Sequence, residues 1–318
     1  MLLLGAGFLG AATGAALLER GCELRVMTRS ELDPSRQALL ADADVFIGDA
    51  CEMGALASAL GDVDHVVYAL GSSSPLESDL DPATDVALIV PPLVRLLELL
   101  SLRPHVALTF LSSGGTVYGE QPAGPTKETA TARPISSYGI IKLTCEHFIS
   151  MYADDHDISA RVLRVSNAYG PGQRPARGQG LVSRLLQCVL TGERLPLFGT
   201  PAAVRDYVHI DDIAGAVADT VCLEQVPRVM NVGSGVGHSI TEVIEIVEDV
   251  TGRRLLVDPL PARRCDLSAN VLDTTALRNL IDFDPIELHS GIEQTWKFVL
   301  EEDIAEARPP RFPASAPR

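Results

Sequence analysis

Tyr138 and Lys142, in the segment Tyr138-Gly-Ile-Ile-Lys142, have the types and the spacing needed for proton transfer. On a helix, residues four apart share a face. A nearby positive charge favours the anionic form of a phenol, so a buried tyrosine beside an ammonium gives up its proton more readily. Such a side chain can take a proton from a substrate hydroxyl while a dinucleotide takes the hydride. Helices carry Tyr and Lys at this spacing by chance, and the pair gains meaning from its company. The hydroxyl-rich segment Leu111-Ser-Ser-Gly-Gly-Thr-Val-Tyr-Gly119 lies upstream, and Gly5-Ala-Gly-Phe-Leu-Gly10 opens the chain.

These groups need a scaffold that brings them to one edge. Short apolar runs at 1–4, 24–28, 45–47, 65–70, 106–111 and 160–165 read as strands, with helical segments between them. Strands alternating with helices predict an α/β fold with a doubly wound parallel (Rossmann) sheet. Ligands then bind at the carboxyl ends of the strands. A dinucleotide-binding domain is expected over 1–166, with a returning segment near 205–236 that includes a strand at 229–232. A smaller C-terminal α/β substrate-binding domain is expected over 167–307. The run 171–180, rich in Pro, Gly and Arg, reads as a loop, and the tail 308–318 as disordered.

Gly5-x-Gly7-x-x-Gly10 follows a strand and opens a helix, the context that gives this motif its meaning. Its glycines let the backbone approach a pyrophosphate, whose charge the helix N-terminus stabilises. An NAD-binding domain usually carries Asp or Glu at the end of the second strand. Here that point reads Thr28-Arg29-Ser30, where Arg29 could pair with a 2′-phosphate, so NAD and NADP both stay open. Asp49, after the third strand, is either an acceptor for the adenine amino group or a turn-former.

The 318 residues carry a net charge of −16, from 26 basic and 42 acidic side chains, which argues against nucleic-acid or anionic-membrane partners. An anionic ligand would need locally placed arginines. The six cysteines are scattered, without metal spacing, and read as reduced packing residues of a cytoplasmic protein. The seven histidines share no ligand spacing, so no metal is assigned. In His209-Ile-Asp-Asp212 the expected role is capping of the next helix by Asp211. The Leu-rich stretch 93–102 reads as core.

Taken together, these motifs resemble the extended short-chain dehydrogenase/reductase family, in its NAD-dependent epimerase/dehydratase, UDP-glucose 4-epimerase-like branch. The resemblance also rests on Ser137-Tyr-Gly-Ile-Ile-Lys142, Leu163-Arg-Val-Ser-Asn-Ala-Tyr-Gly-Pro171, Val204-Arg-Asp-Tyr-Val-His-Ile-Asp-Asp212 and Asn231-Val-Gly-Ser-Gly235. It implies that Tyr138 is the acid/base and that Lys142 holds the nicotinamide ribose. Gly5, Gly7, Phe8, Leu9 and Gly10 would form the cofactor turn. Asn167 and Arg205 would contact a substrate diphosphate, Arg263 would be a second phosphate-binding arginine, and Asp266 a ribose-binding carboxylate. It also implies a homodimer built through the helices beside the catalytic one.

Several positions depart from the family pattern. The usual catalytic Ser or Thr falls at Gly114, leaving Ser113, Thr116 or a water to supply the hydroxyl. Leu4 stands for the first glycine of the usual motif, and Ile89 for a common Asn. The Asp-Glu pair of the related 4,6-dehydratases is replaced by Gly115 and Thr116, which disfavours dehydration. The leading expectation is a nucleotide-sugar 4-epimerase using bound NAD(P). The alternatives are an NADPH-dependent 4-ketoreductase of nucleotide deoxysugars, favoured by Arg29, and a non-catalytic nucleotide-binding scaffold.

Overall fold

The computed structural model describes residues 1–71, 75–122, 124–174, 180–262 and 267–306. In chain order its strands are β1 (Leu2–Leu4), β2 (Arg25–Thr28), β3 (Asp44–Ile47), β4 (His65–Tyr68), β5 (Ala107–Ser113), β6 (Ala160–Val165), β7 (Asn167–Tyr169), β8 (Leu195–Phe198), β9 (Val204–His209), β10 (Val229–Val232), β11 (Gly237–Ser239), β12 (Val257–Leu260) and β13 (Ala269–Asn270). The helices are α1 (Phe8–Glu19), α2 (Pro34–Leu39), α3 (Met53–Leu60), α4 (Pro75–Leu80), α5 (Pro82–Ser101), α6 (Ser137–His156), α7 (Leu181–Thr191), α8 (Ile210–Val221), α9 (Ile240–Thr251), α10 (Thr275–Arg278) and α11 (Leu288–Glu306).

Seven strands, all parallel, make the main sheet in the order β3-β2-β1-β4-β5-β6-β10. Successive side chains on a strand face opposite ways, and β4 shows the consequence. Val66 joins the core under α3, α5 and α6, with Leu56, Leu93, Leu97 and Ile141. Val67 joins the opposite core under α1 and α8, with Leu17, Ile213 and Val217. Burial on both faces explains why these strands read as continuous apolar runs. The expected return to the sheet is seen at β10, which pairs with β6.

The C-terminal part adds a smaller α/β layer. β9 is its spine, pairing with β7, β11 and β13, while β8 pairs with β12. α7, α9 and α11 cover a separate core of Leu185, Val189, Val243, Val247 and Ile292.

Local signals set the helix ends that matter for the site. Ser136 caps α6 by accepting from the Gly139 amide, which places Tyr138 in the first turn. The expected cap of α8 is corrected: the ring of His209 accepts from the Asp211 amide, and Asp211 lies inside the first turn. With Nδ1 accepting, the buried imidazole keeps its proton on Nε2. His65 is also a core residue, hydrogen-bonded to Thr109 at 2.8 Å, and burial pushes it down to about 3. No helix among the described residues is long and apolar enough to cross a membrane.

Candidate active site

The glycine turn between β1 and α1 is built for close approach. A Cβ on Gly10 would lie 2.1 Å from the carbonyl oxygen of Gly5, so the crossing closes only with glycine. Gly7, at the N-cap of α1, faces open space and carries no capping side chain. The first turn of α1 holds no acidic residue, so its free amides can serve a phosphate. The turn opens on a cleft of about 360 Å³ at the carboxyl ends of β1 to β4. Gly5, Gly7, Arg29, Asp49 and Gly71 line it, and Phe8 and Leu9 follow as the first residues of α1. A larger depression, about 860 Å³, lies around Met1, Asp44 and His65 at the opposite ends of the strands. Parallel sheets of this kind bind ligands at the carboxyl ends, so the smaller cleft is the candidate. Asp49 is seen as the turn-former: its carboxylate accepts from the Cys51 amide at 2.8 Å, and it also borders the cleft.

Lys142 lies between the cleft and Tyr138. Its side chain is buried, and Nζ donates to the Leu111 carbonyl at 3.0 Å. Nζ also lies 4.9 Å from the Phe110 ring centroid and 5.7 Å from that of Tyr138. The same Nζ is 3.8 Å from where a Cβ of Gly71 would stand, at the lip of the cleft. Tyr138 is half-buried one turn earlier on α6.

The hydroxyls upstream sort by strand alternation. Ser112 is buried and donates to Glu146 of α6. Ser113 turns to the other side, where its Oγ and the side chain of Asn167 both border Gly115. Thr116 Oγ1 is buried without a hydrogen-bond partner among the described residues. Gly114 has no room for a side chain. A Cβ there would meet Leu272 Cδ1 at 2.6 Å and the Arg164 carbonyl oxygen at 2.9 Å.

Beyond Gly115, Asn167 Nδ2 donates to the Asp206 carbonyl at 3.1 Å. The guanidinium of Arg205 donates to the carbonyls of Val204 and Leu267. Asp206 collects five donors: the Ser166 and Ser234 hydroxyls and the amides of Ser234, Gly235 and Leu272. Burial pushes its carboxyl above the ordinary range, and those donors pull the other way. Sequence reasoning missed this hub, although the run of hydroxyls and glycines in Ser166 and Ser234-Gly235 supplied the donors. Arg263 and Asp266 lie outside the described residues.

A family model described as the NAD dependent epimerase/dehydratase family matches residues 1–233. The chain belongs to that family. It is 30% identical to a UDP-glucose 4-epimerase of Corynebacterium glutamicum, with 92% of this chain and 93% of the relative aligned. The solved Thermus thermophilus UDP-glucose 4-epimerase, in complex with NAD, matches at TM-score 0.85 and 30% identity over 94% of this chain and 98% of that one. The Thermotoga maritima UDP-glucose 4-epimerase, with UDP-glucose, matches at TM-score 0.87 and 27% identity over 95% and 98%.

The packing at Gly114 gives a test of stability. Gly114→Ser should lower the free energy of unfolding in urea by about 1–3 kcal/mol, the usual cost of overpacking. An unchanged unfolding midpoint would show that Leu272 yields freely and that the position tolerates a side chain.

Proposed function

We propose that this protein is a nucleotide-sugar 4-epimerase that interconverts UDP-glucose and its 4-epimer. The observation that carries the reading is the buried Lys142, whose ammonium stands between the lip of the dinucleotide cleft and the ring of Tyr138. The glycine turn, the uncapped start of α1 and the lining of the cleft fit NAD. When bound there, NAD supplies reversible two-electron chemistry at carbon 4 of the sugar.

The protein's own groups then have separate tasks. Tyr138 takes the proton of the 4-hydroxyl and later returns it, as a general base and then an acid. Lys142 holds the nicotinamide ribose, and its charge stabilises the phenolate while the proton is away. Ser113 orients the 4-oxygen in place of the hydroxyl that Gly114 cannot carry, with Thr116 as the reserve donor. Asn167 and Arg205 hold the diphosphate, together with Arg263, and Asp266 holds the ribose. Two or more guanidiniums on one diphosphate answer the charge problem of an acidic protein. The pocket must leave the 4-ketose free to turn, so that its other face meets the cofactor.

A second reading has its own observation. Arg29 stands at the position after β2 where an acid is usual, and it lines the cleft with Ser30, Glu31 and Arg36. This favours an NADPH-dependent 4-ketoreductase. Scattered cysteines, with five free thiols among the described residues, support a reducing, cytoplasmic setting. The exposed Val86 of α5 and Ile140 and Met151 of α6 support a homodimer through these two helices.

Three outcomes are expected. Tyr138→Phe should fold normally and lose on the order of 10²–10⁴-fold in turnover of UDP-glucose; near-normal turnover would remove Tyr138 from the mechanism. Arg29→Ala should leave NAD affinity unchanged, and wild-type protein should retain NAD through purification. Exchangeable NADPH, with NADP affinity lost by roughly 1.5–3 kcal/mol in the variant, would establish the reductase instead. Sedimentation should give twice the chain mass, and a monomer at working concentrations would exclude the α5–α6 interface.

A further inference from the structure

We propose that Glu146, clamped by Arg164 and Ser112, is a positioning residue that fixes the rotation of α6 against β5 and so the places of Lys142 and Tyr138. This rests on the reading of those two residues given above. Tyr138, Lys142 and Glu146 are spaced by four and share one face of α6. Glu146 and Arg164 are both buried. Arg164 Nη2 donates to Glu146 Oε2 at 2.6 Å and Nε is shared between Oε1 at 3.2 Å and Oε2 at 3.1 Å, while the Ser112 hydroxyl donates to Oε1 at 2.5 Å. Ser112 and Arg164 are direct partners in the β5–β6 register, so the carboxylate is gripped by two adjacent strands.

The grip adjoins the bond that holds the ammonium. Lys142 reaches the carbonyl of Leu111, and Glu146, one turn later, reaches the side chain of Ser112. Two successive residues of β5 therefore hold two successive turns of α6. The clamp continues outward: the Arg164 guanidinium lies 4.7 Å from the Tyr118 ring centroid, and the Tyr118 hydroxyl donates to Asn231 of β10 at 2.7 Å. An apolar pair of similar volume would hold a helix to a sheet about as firmly as a buried ion pair. Its contacts have no direction, however, and would let α6 rotate by the fraction of a turn that moves Nζ off Leu111. A bidentate fork on a carboxylate sets both distance and angle.

The test uses full-length protein and Glu146→Gln, Arg164→Lys and Ser112→Ala, with Tyr138→Phe alongside. Each clamp variant should lose turnover of UDP-glucose, by about 10- to 100-fold for Glu146→Gln, as expected for misplacement of a reacting group, and less for Ser112→Ala. NADH affinity, read by fluorescence, should fall severalfold because Lys142 is displaced. KM and the calorimetric affinity for UDP should stay at wild-type values. Should Glu146→Gln fail to fold, Glu146→Gln/Arg164→Met leaves no buried charge unpaired and carries the same readouts. That variant is expected to regain its melting temperature and remain slow; wild-type turnover and NADH affinity in it would overturn the proposal. So would parallel losses of NADH and UDP affinity that follow the melting temperature, or clamp variants that bind NADH as wild type does. Full turnover by Tyr138→Phe would instead sink the catalytic reading, and the NADH measurement would still decide the role of the clamp.

Discussion

Everything at this site depends on one buried ammonium. Lys142 has left water, and the bond and ring contacts at its head are a single carbonyl at 3.0 Å and two aromatic rings. A neutral carbonyl and ring faces compensate a buried cation only in part. The environment is therefore more favourable when an anion stands nearby, and in the proposed mechanism the Tyr138 oxygen, one turn away on the same helix, is that anion while the proton is away. An interaction stronger in the reacting state than in the resting one is what lowers a barrier. The parallel sheet serves this end by placing the end of β5, the lip of β4 and the first turns of α6 around one point.

The C-terminal side of the candidate site is organised around a buried carboxyl group. Asp206 is fully buried and accepts from the end of β6, from the loop after β10 and from Leu272 beyond β13. The same Leu272 closes the space at Gly114. Asn167 is held by the Asp206 backbone, and Arg205 precedes it on β9. One carboxylate thus joins the wall at Gly114 to Asn167 and Arg205, the residues proposed to hold the anion. Buried polar groups with all their partners specify one arrangement of the segments they connect, so the two halves of the site meet in fixed register.

Much of this was legible in the sequence because its signals are local. Apolar runs gave the strands, and Gly5-x-Gly7-x-x-Gly10 gave the tight turn between β1 and α1. The less legible features depend on contacts across the chain. Glu146 sits four after Lys142, a spacing that marks a shared face, yet its partner Arg164 lies 18 residues away on a strand and looks like any surface charge. Asp206 carries no local signal, because its donors come from three other segments. His209 replaced Asp211 as the cap because a buried ring nitrogen next to the first turn needs a donor more than an exposed carboxylate does. Nothing local announces that Leu272 fills the place of a hydroxyl 158 positions upstream of it, where the Cβ of residue 114 would stand.

The central claim is that Tyr138 and Lys142 run a reversible oxidation at carbon 4 with a hydride that stays on the protein. The most direct measurement follows UDP-glucose deuterated at carbon 4, incubated with the purified protein and no added cofactor. The account predicts formation of the 4-epimer with the deuterium retained at carbon 4, because the label leaves and returns without meeting solvent. Loss of the label to water, or product that forms only when a reduced nicotinamide is added, would contradict it.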